Sequence, residues 1–289
     1  MAVAATPEAG EQPYLDVLAT TQHSIDVEVY LMGYGGILDE LLAKAQAGVS
    51  VRVILDRAKM DTNQKYYDML VAAGAQVKWS DARFVYQHSK FILVDDKVAL
   101  ISTGNFSKSY SIELERNFVA TDRDPADIKD LVSLFEADWQ GTTLAMPCTR
   151  LLVAPINARA RILALINGAQ STLTIESMQF GDPAVRDAVK ARVLAGVSVR
   201  ALLADANWIS ANTYAAAFLK DLGVEVKWIP HLHTKVIVAD GEEAYLGSEN
   251  LSTNSLDNNR EVGVIVTDAS SIAPLTTTFE TDWTAGTSF

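Results

Sequence analysis

The run His88-Ser89-Lys90-Phe91-Ile92-Leu93-Val94-Asp95, followed by Asn105, returns as His233-Thr234-Lys235-Val236-Ile237-Val238-Ala239-Asp240, followed by Asn250. Each matched histidine, lysine, aspartate and asparagine is shifted by 145 positions. Residues two apart on a strand face the same way, so each histidine shares a face with its lysine. A hairpin return after the apolar run would bring each asparagine back toward its histidine. The pattern therefore predicts two matched sets of polar side chains at the ends of buried strands.

Outward from these runs the two halves keep matching. Ala47-Gly48-Val49-Ser50-Val51-Arg52 recurs letter for letter as Ala195-Gly196-Val197-Ser198-Val199-Arg200. Val77-Lys78-Trp79 recurs as Val226-Lys227-Trp228, and Glu28 matches Glu176. Phe135-Glu136 and Asp138-Trp139 recur as Phe279-Glu280 and Asp282-Trp283. Self-similarity over the whole length marks a tandem duplication of a unit near 145 residues. The expected halves are 1–145 and 146–289, joined around Thr142 to Arg150.

Within each half, strand and helix signals alternate. Ile25 to Leu31, Val49 to Leu55 and Ala75 to Trp79 are strand-like. Ile37, Leu38, Leu41, Leu42 and Ala45 have helical spacing, with Gly48 placed to end the helix. Tyr66 to Ala73 is a second helix. Two apolar runs follow, Lys90 to Val94 and Val98 to Ile101, then a short strand over Arg116 to Ala120 and a closing helix over Ile128 to Trp139. The fold is expected to start around Pro7. Strands apolar on both faces, interleaved with helices, predict sheets covered on both sides. The expected architecture is α/β: two tandem α/β/α sandwich halves about a pseudo-two-fold axis, with one active site at their interface.

The residue types suit phosphodiester cleavage, which needs a nucleophile, an acid for the leaving oxygen and donors for the phosphate oxygens. His88 and His233 can divide the first two tasks, because histidine holds either protonation state near neutral pH. Lys90 and Lys235 supply charge, and Asn105 and Asn250 supply amide donors. Thr103 and Ser248 are candidate hydroxyl donors to the substrate, and His231 is a candidate at the cleft entrance, with a plain loop role as the alternative. Glu115 and Glu261 lie 27 and 28 residues after the histidines. Each is expected to accept a hydrogen bond from an imidazole and fix its tautomer. Asp95 and Asp240 fall at turns, where aspartate is common, and are structural or supporting residues. Glu28 and Glu176 are polar residues inside apolar strands and either support the site or are satisfied structurally. Trp79, Trp139, Trp228 and Trp283 recur in register and are expected in the core. Trp208 has no such counterpart and, with Ile209 and Tyr214, borders the cleft or packs. Phe84, Val85 and Tyr86, in a segment longer than its equivalent before His233, meet an acyl chain or pack.

With these residues in hand, the chain resembles the phospholipase D superfamily, whose signature is His-x-Lys-x4-Asp followed by Gly-Ser-x-Asn. The second copy matches in full through Gly247, Ser248 and Asn250. The first has Ser102 for the glycine and Thr103 for the serine, which keeps the hydroxyl. The resemblance implies a two-step reaction through a phosphohistidine, with His88 as nucleophile and His233 as general acid and then base. It implies neither metal nor cofactor.

Composition narrows the substrate. The 289 residues carry 24 Lys and Arg against 36 Asp and Glu, a net charge of −12. Nucleic-acid affinity rests on cationic phosphate contacts, so this balance favours a phospholipid over DNA or RNA. A nuclease of the same superfamily is the alternative. A lone cysteine, Cys148, excludes an intrachain disulfide. No run reaches the roughly 18 to 20 apolar residues of a membrane span, and no signal peptide is visible. A leader or anchor ahead of Met1 is compatible with this reading, which leaves the compartment open. Both motifs lie in one chain, so activity as a monomer is expected, with transient contact to a membrane surface.

Overall fold

The computed structural model describes residues 1–144 and 150–289. The expected join falls mostly on the intervening segment, and Cys148 lies outside the described residues. A seven-stranded sheet runs in the order Ala2–Thr6, Asn117–Asp122, Val98–Ser102, Lys90–Val94, Ser24–Val29, Ser50–Leu55, Gln76–Trp79. The second sheet repeats that order from Leu151–Ala154 through Glu261–Val266, Glu243–Gly247, Lys235–Ala239, Thr172–Ser177 and Ser198–Ala204 to Glu225–Ile229. It adds Thr287–Ser288 at its far edge. In each sheet the last three shared strands are parallel and the others antiparallel. The first strand, Ala2–Thr6, lies ahead of the expected start at Pro7. It pairs antiparallel with Asn117–Asp122.

Strand alternation explains why the motif strands are apolar throughout. Ile92 and Val94 enter the core beneath the first half's own helices. Phe91 and Leu93 enter a different core, shared with Val236, Val238, Val262 and Val264 of the second half. Both faces of Lys90–Val94 are thus dry, as a sheet covered on both sides requires. The closing helices Pro125–Gln140 and Ala269–Ala285 add Leu131, Phe135, Ile272 and Leu275 to the shared core. Phe91 is fully buried there, and truncating such a phenylalanine to alanine costs about 3–5 kcal/mol.

The letter-for-letter repeats have mechanical roles. Gly48 and Gly196 each follow a helix end at φ +88°, the left-handed region that glycine enters without steric cost. Arg52 lies over Phe135 and Trp139, at 4.8 and 5.5 Å. Arg200 lies over Phe279 and Trp283, at 5.0 and 5.2 Å. Lys78 donates to the Trp139 carbonyl at 3.0 Å, and Lys227 donates to that of Trp283 at 2.7 Å. Each Ser-Val-Arg and Val-Lys-Trp segment therefore clamps its own closing helix onto its sheet edge by cation–π contact and a helix C-terminal hydrogen bond.

Candidate active site

The two halves meet through backbone as well as side chains. The His88 amide donates to the Arg260 carbonyl at 2.8 Å, and the Arg260 amide to the Tyr86 carbonyl at 2.9 Å. In the mirrored place the His233 amide donates to the Arg116 carbonyl at 3.1 Å, and the Arg116 amide to the His231 carbonyl at 3.0 Å. Arg260 is held by Asp138, and Arg116 by Asp282, each with its nearest pair at 2.7 Å. Each histidine is thus hung on an arginine-anchored segment of the other half.

His88 Nδ1 lies 2.8 Å from Glu261 Oε2. The other oxygen of Glu261 accepts from Ser255 at 2.6 Å and from Asn259 at 3.0 Å. His233 meets a different partner. Its Nδ1 lies 2.9 Å from Asn117 Oδ1, with Glu115 farther away at 3.7 Å. The amide orientation is fixed, because Asn117 Nδ2 donates to the Ser111 carbonyl at 2.9 Å and a carbonyl can only accept. Asn117 Oδ1 therefore accepts from His233 Nδ1–H and from the Thr103 hydroxyl, the latter at 2.8 Å. These contacts favour the ring proton on Nδ1 in both histidines, with the Lys235 ammonium 3.4 Å from Nε2 of His233.

This corrects the expected pairing of Glu115 with Glu261. Ser111 and Arg116 stand where Ser255 and Arg260 stand in the other copy, so Asn117 is opposite Glu261 and Glu115 opposite Asn259. The order Glu-x-Asn in one half is Asn-x-Glu in the other. Glu115 is held behind the imidazole by Ser111 and, at 3.4 Å, by Asn117. The sequence signal was present in the shared Ser-x4-Arg register. Counting from the histidines hid it, because the two copies differ by one residue between histidine and arginine.

The lysines are buried beside the histidines, 1% and 0% exposed. Lys90 donates to the His88 carbonyl and Lys235 to the His233 carbonyl, and Lys235 also donates to the Thr103 carbonyl at 3.2 Å. Burial pushes Lys90 down to about 8, against the pull of Glu261. Burial and then the charge of Lys90 hold Lys235 well below its ordinary value. Burial pushes the His88 imidazole down to about 4, with Glu261 opposing. Burial, then Lys235, Lys90 and His88, hold His233 well below the usual histidine range. Four basic groups thus crowd one desolvated place, and His88, His233 and Lys235 are depressed further by the charge of their basic neighbours. An anion among them relieves that repulsion.

Asn105 accepts from the Leu31 amide through Oδ1 at 3.3 Å, which leaves its NH2 free to donate. Asn250 Oδ1 is buried with no partner. Thr103 and Ser248 were expected to face the substrate. Both are fully buried and accept from the backbone amides of Phe118 and Val262, at 2.9 and 3.0 Å, and the Thr103 proton goes to Asn117. They brace the asparagine loops from behind. Asp95 and Asp240 sit at the opposite strand end from the lysines. Asp95 accepts from the amides of Gln22, His23 and Ser24, and Asp240 from those of Gln170, Ser171 and Thr172, all within 2.9 Å. Both are structural ties, too far away to support the site. Glu28 accepts from Gln87 and Ser89, which flank His88. Burial and the nearby Asp138 raise its carboxyl pKa well above the usual range. Burial and then Asp282 raise the Glu176 carboxyl well above the usual range. His231 is exposed at φ +55°, and Trp208 lies 6.0 Å from its ring and 6.4 Å from that of His233. On the other side the Tyr30 ring meets His88 edge-on at 4.6 Å and Tyr86 at 5.6 Å. The motif gave no signal for Tyr30. Phe84 packs under the Arg260 guanidinium at 4.3 Å, and Val85 is exposed.

The family described as cardiolipin synthase, PLD-like domain, matches residues 14–139 and again 162–283. The chain belongs to the phospholipase D superfamily. It is 25% identical over 330 aligned positions to a probable cardiolipin synthase of Bacillus subtilis, covering 94% of this chain and 64% of that protein. It is 26% identical over 280 positions to a cardiolipin synthase of Clostridium perfringens, covering 80% of this chain and 58% of that one. The chain thus spans less than two thirds of the length of these relatives. Among solved structures, phosphatidylserine synthase of Haemophilus influenzae superposes with a TM-score of 0.77 at 13% identity, over 100% of this chain and 87% of that one. Polyphosphate kinase of Porphyromonas gingivalis superposes at 0.76 and 18%, over 96% of this chain and 46% of that one. These likenesses establish the phospholipase D fold in both halves.

Proposed function

We propose that this phospholipase D-superfamily chain transfers or hydrolyses the phosphatidyl group of phospholipids through a phosphohistidine on His88, with His233 as general acid and then base. The observation that carries the reading is the unequal backing of two otherwise matched imidazoles. When His88 Nε2 attacks phosphorus, positive charge appears on its ring, and Glu261 at 2.8 Å stabilises it. In the same step His233 gives its proton to the leaving oxygen and loses positive charge. Its hydrogen-bond partner is the neutral Asn117 amide, and the Glu115 carboxylate stands farther off at 3.7 Å, so that loss is opposed less strongly. Interactions that grow with the developing charge lower the barrier, whereas uniform ones do not. Lys90, Lys235, Asn105 and Asn250 surround the phosphate oxygens. A bound anion favours the protonated form of His233, which burial disfavours in the empty site.

The lipid substrate is supported by the cardiolipin synthase relatives and by the net charge of −12, which disfavours a polyanionic nucleic acid. The chain meets a membrane surface transiently; among the described residues no helix is long and apolar enough to cross one. Both half-sites lie in one chain, and a monomer suffices. The test is turnover of phosphatidylglycerol, phosphatidylcholine and single-stranded DNA in EDTA, with His88→Ala and His233→Ala beside the wild type. Headgroup release lost in both variants, with DNA intact, is the expected result. DNA cleavage without lipid turnover would replace this reading with a nuclease.

A further inference from the structure

The duplication supplies an internal comparison at the mouth of the site. Asn63 donates to the Tyr30 carbonyl and accepts from the Met32 amide, at 2.9 and 3.1 Å. Asn212 donates to the Met178 carbonyl and accepts from the Phe180 amide, at 2.9 and 3.2 Å. These matched bonds align Asp56–Asn63 with Asp205–Asn212, and so Lys59 with Trp208 and Tyr30 with Met178. Tyr86 and His231 correspond, each two residues before its histidine. The rim beside His88 is therefore Lys59, Tyr30 and Tyr86, with the Lys59 ammonium 5.6 and 5.9 Å from the two rings. The rim beside His233 is Trp208, Met178 and His231. Equivalent backbone carries opposite chemistry: a cation with phenols on one side, an indole and thioether with a solvent-facing imidazole on the other.

Resting on the reaction proposed above, we infer that Trp208 and His231 form the subsite for the leaving and accepting alcohol, and that Trp208 sets the balance between alcohol transfer and hydrolysis. In an in-line displacement the nucleophile and the leaving oxygen lie on opposite sides of phosphorus. His88 attacks, so the leaving alcohol departs past His233. The acceptor must return by the same path. Its hydroxyl gives a proton to His233 Nε2 while its oxygen lone pair forms the new P–O bond. The P–N bond to His88 breaks, and its electron pair returns to Nε2. Water entering instead gives phosphatidic acid. An indole face favours the C–H edge of a small polyol over water, and His231 is placed to hydrogen-bond its distal hydroxyl. His231 is exposed in the left-handed backbone region, uncommon outside glycine, with its ring 6.0 Å from that of Trp208. A neutral, glycerol-like alcohol fits this rim, which carries no side chain like Lys59.

Transfer and hydrolysis partition from one intermediate, so their ratio is independent of enzyme concentration and of how fast the intermediate forms. The assay uses phosphatidyl-p-nitrophenol as donor and glycerol as acceptor, with phosphatidylglycerol and phosphatidic acid quantified as products. Trp208→Ala and His231→Ala should each lower the transfer-to-hydrolysis ratio about 3- to 10-fold, the scale of one aromatic contact, and Trp208→Phe should fall between. Lys59→Met, at the equivalent place on the other rim, should leave the ratio unchanged. Ratios unmoved in Trp208→Phe and His231→Ala, with turnover intact, would overturn the subsite while leaving the proposed function standing. So would a ratio that follows Lys59→Met and ignores Trp208. No release of p-nitrophenol by the wild type would count against the proposed function and remove the subsite with it. Because His231 is exposed, its variant keeps the test valid even if Trp208→Ala fails to fold.

Discussion

Replacing Glu261 by glutamine removes the charge behind His88. The amide oxygen can still accept from Nδ1–H, as Asn117 does for His233 at 2.9 Å, so the ring keeps its tautomer and position. The carboxylate charge, 2.8 Å from Nδ1, is removed, and an amide nitrogen replaces the oxygen that accepts from Ser255 and Asn259. Two limits bound the effect. A hydrogen bond to a charged group exceeds a neutral one by about 1–1.5 kcal/mol. The full attraction of unit charges with centres ~4 Å apart is about 4 kcal/mol at the effective dielectric of 20 that suits protein sites. At about 1.4 kcal/mol per decade, kcat/KM should fall roughly 10- to 10³-fold. The pH profile should move as well. Glu261 raises the basicity of His88, and attack requires the neutral ring. Its removal therefore displaces the acidic limb of kcat/KM to lower pH. The assay is kcat/KM for a chromogenic phosphatidyl ester from pH 3 to 9, with circular dichroism confirming the fold at each pH. A loss below about threefold with an unmoved acidic limb would refute the assignment of developing charge to His88.

Three further outcomes follow from the same electrostatics. Lys90, brought down to about 8 by burial, should impose a loss of kcat/KM above that pH, and Lys90→Arg should carry the limb to higher pH; an unchanged limb would assign it to another group. Binding of inorganic phosphate should take up protons between pH 6 and 8, because burial holds His233 well below its usual range in the empty site. Calorimetry in buffers of different ionisation enthalpy measures this, and zero uptake would exclude proton-coupled anion binding. Glu176 concerns stability: burial and then Asp282 raise its carboxyl pKa in the folded state. That contribution is fully present below the unfolded carboxyl value and is lost as pH rises toward the folded one. Glu176→Gln should then melt above the wild type at pH 8 and not at pH 4, with a slope difference of up to about 1.4 kcal/mol per pH unit; equal melting profiles would show that Glu176 is not the proton-bearing group.

Much of the architecture was legible because the code is local. The run Lys90–Val94 is bounded in the structure as the sequence predicts, since each residue from Phe91 to Val94 enters one of two dry cores. The repeated Ser-Val-Arg and Val-Lys-Trp segments announced the duplication, and their clamp on Trp139 and Trp283 gives the physical reason both copies need them. What the sequence concealed depends on contacts between halves. The partner of His233 is 116 residues away, and that of His88 is 173 away. No periodicity encodes such pairs. Asp95 and Asp240, read as structural or supporting residues, are structural ties: their regular spacing from the lysines measures the length of a strand that carries them away from the chemistry.

The exchange between halves also bears on why a duplicated scaffold suits this reaction. Neither half holds its own imidazole: His88 needs Glu261 and the Arg260 carbonyl, and His233 needs Asn117 and the Arg116 carbonyl. The backbone frame is close to symmetric, but the proposed reaction is not, since positive charge grows on one ring as it leaves the other. Two identical copies would have to give both rings the same partner, and a carboxylate that assists the nucleophile would equally oppose deprotonation of the acid. Exchanging Glu and Asn across the second position, while Ser111, Arg116, Ser255 and Arg260 keep the frame, separates those demands without moving the backbone. The same independence of the two copies allows Lys59 and Trp208 to give the rims different tasks. A homodimer of one half could build the frame, but it could not make either distinction.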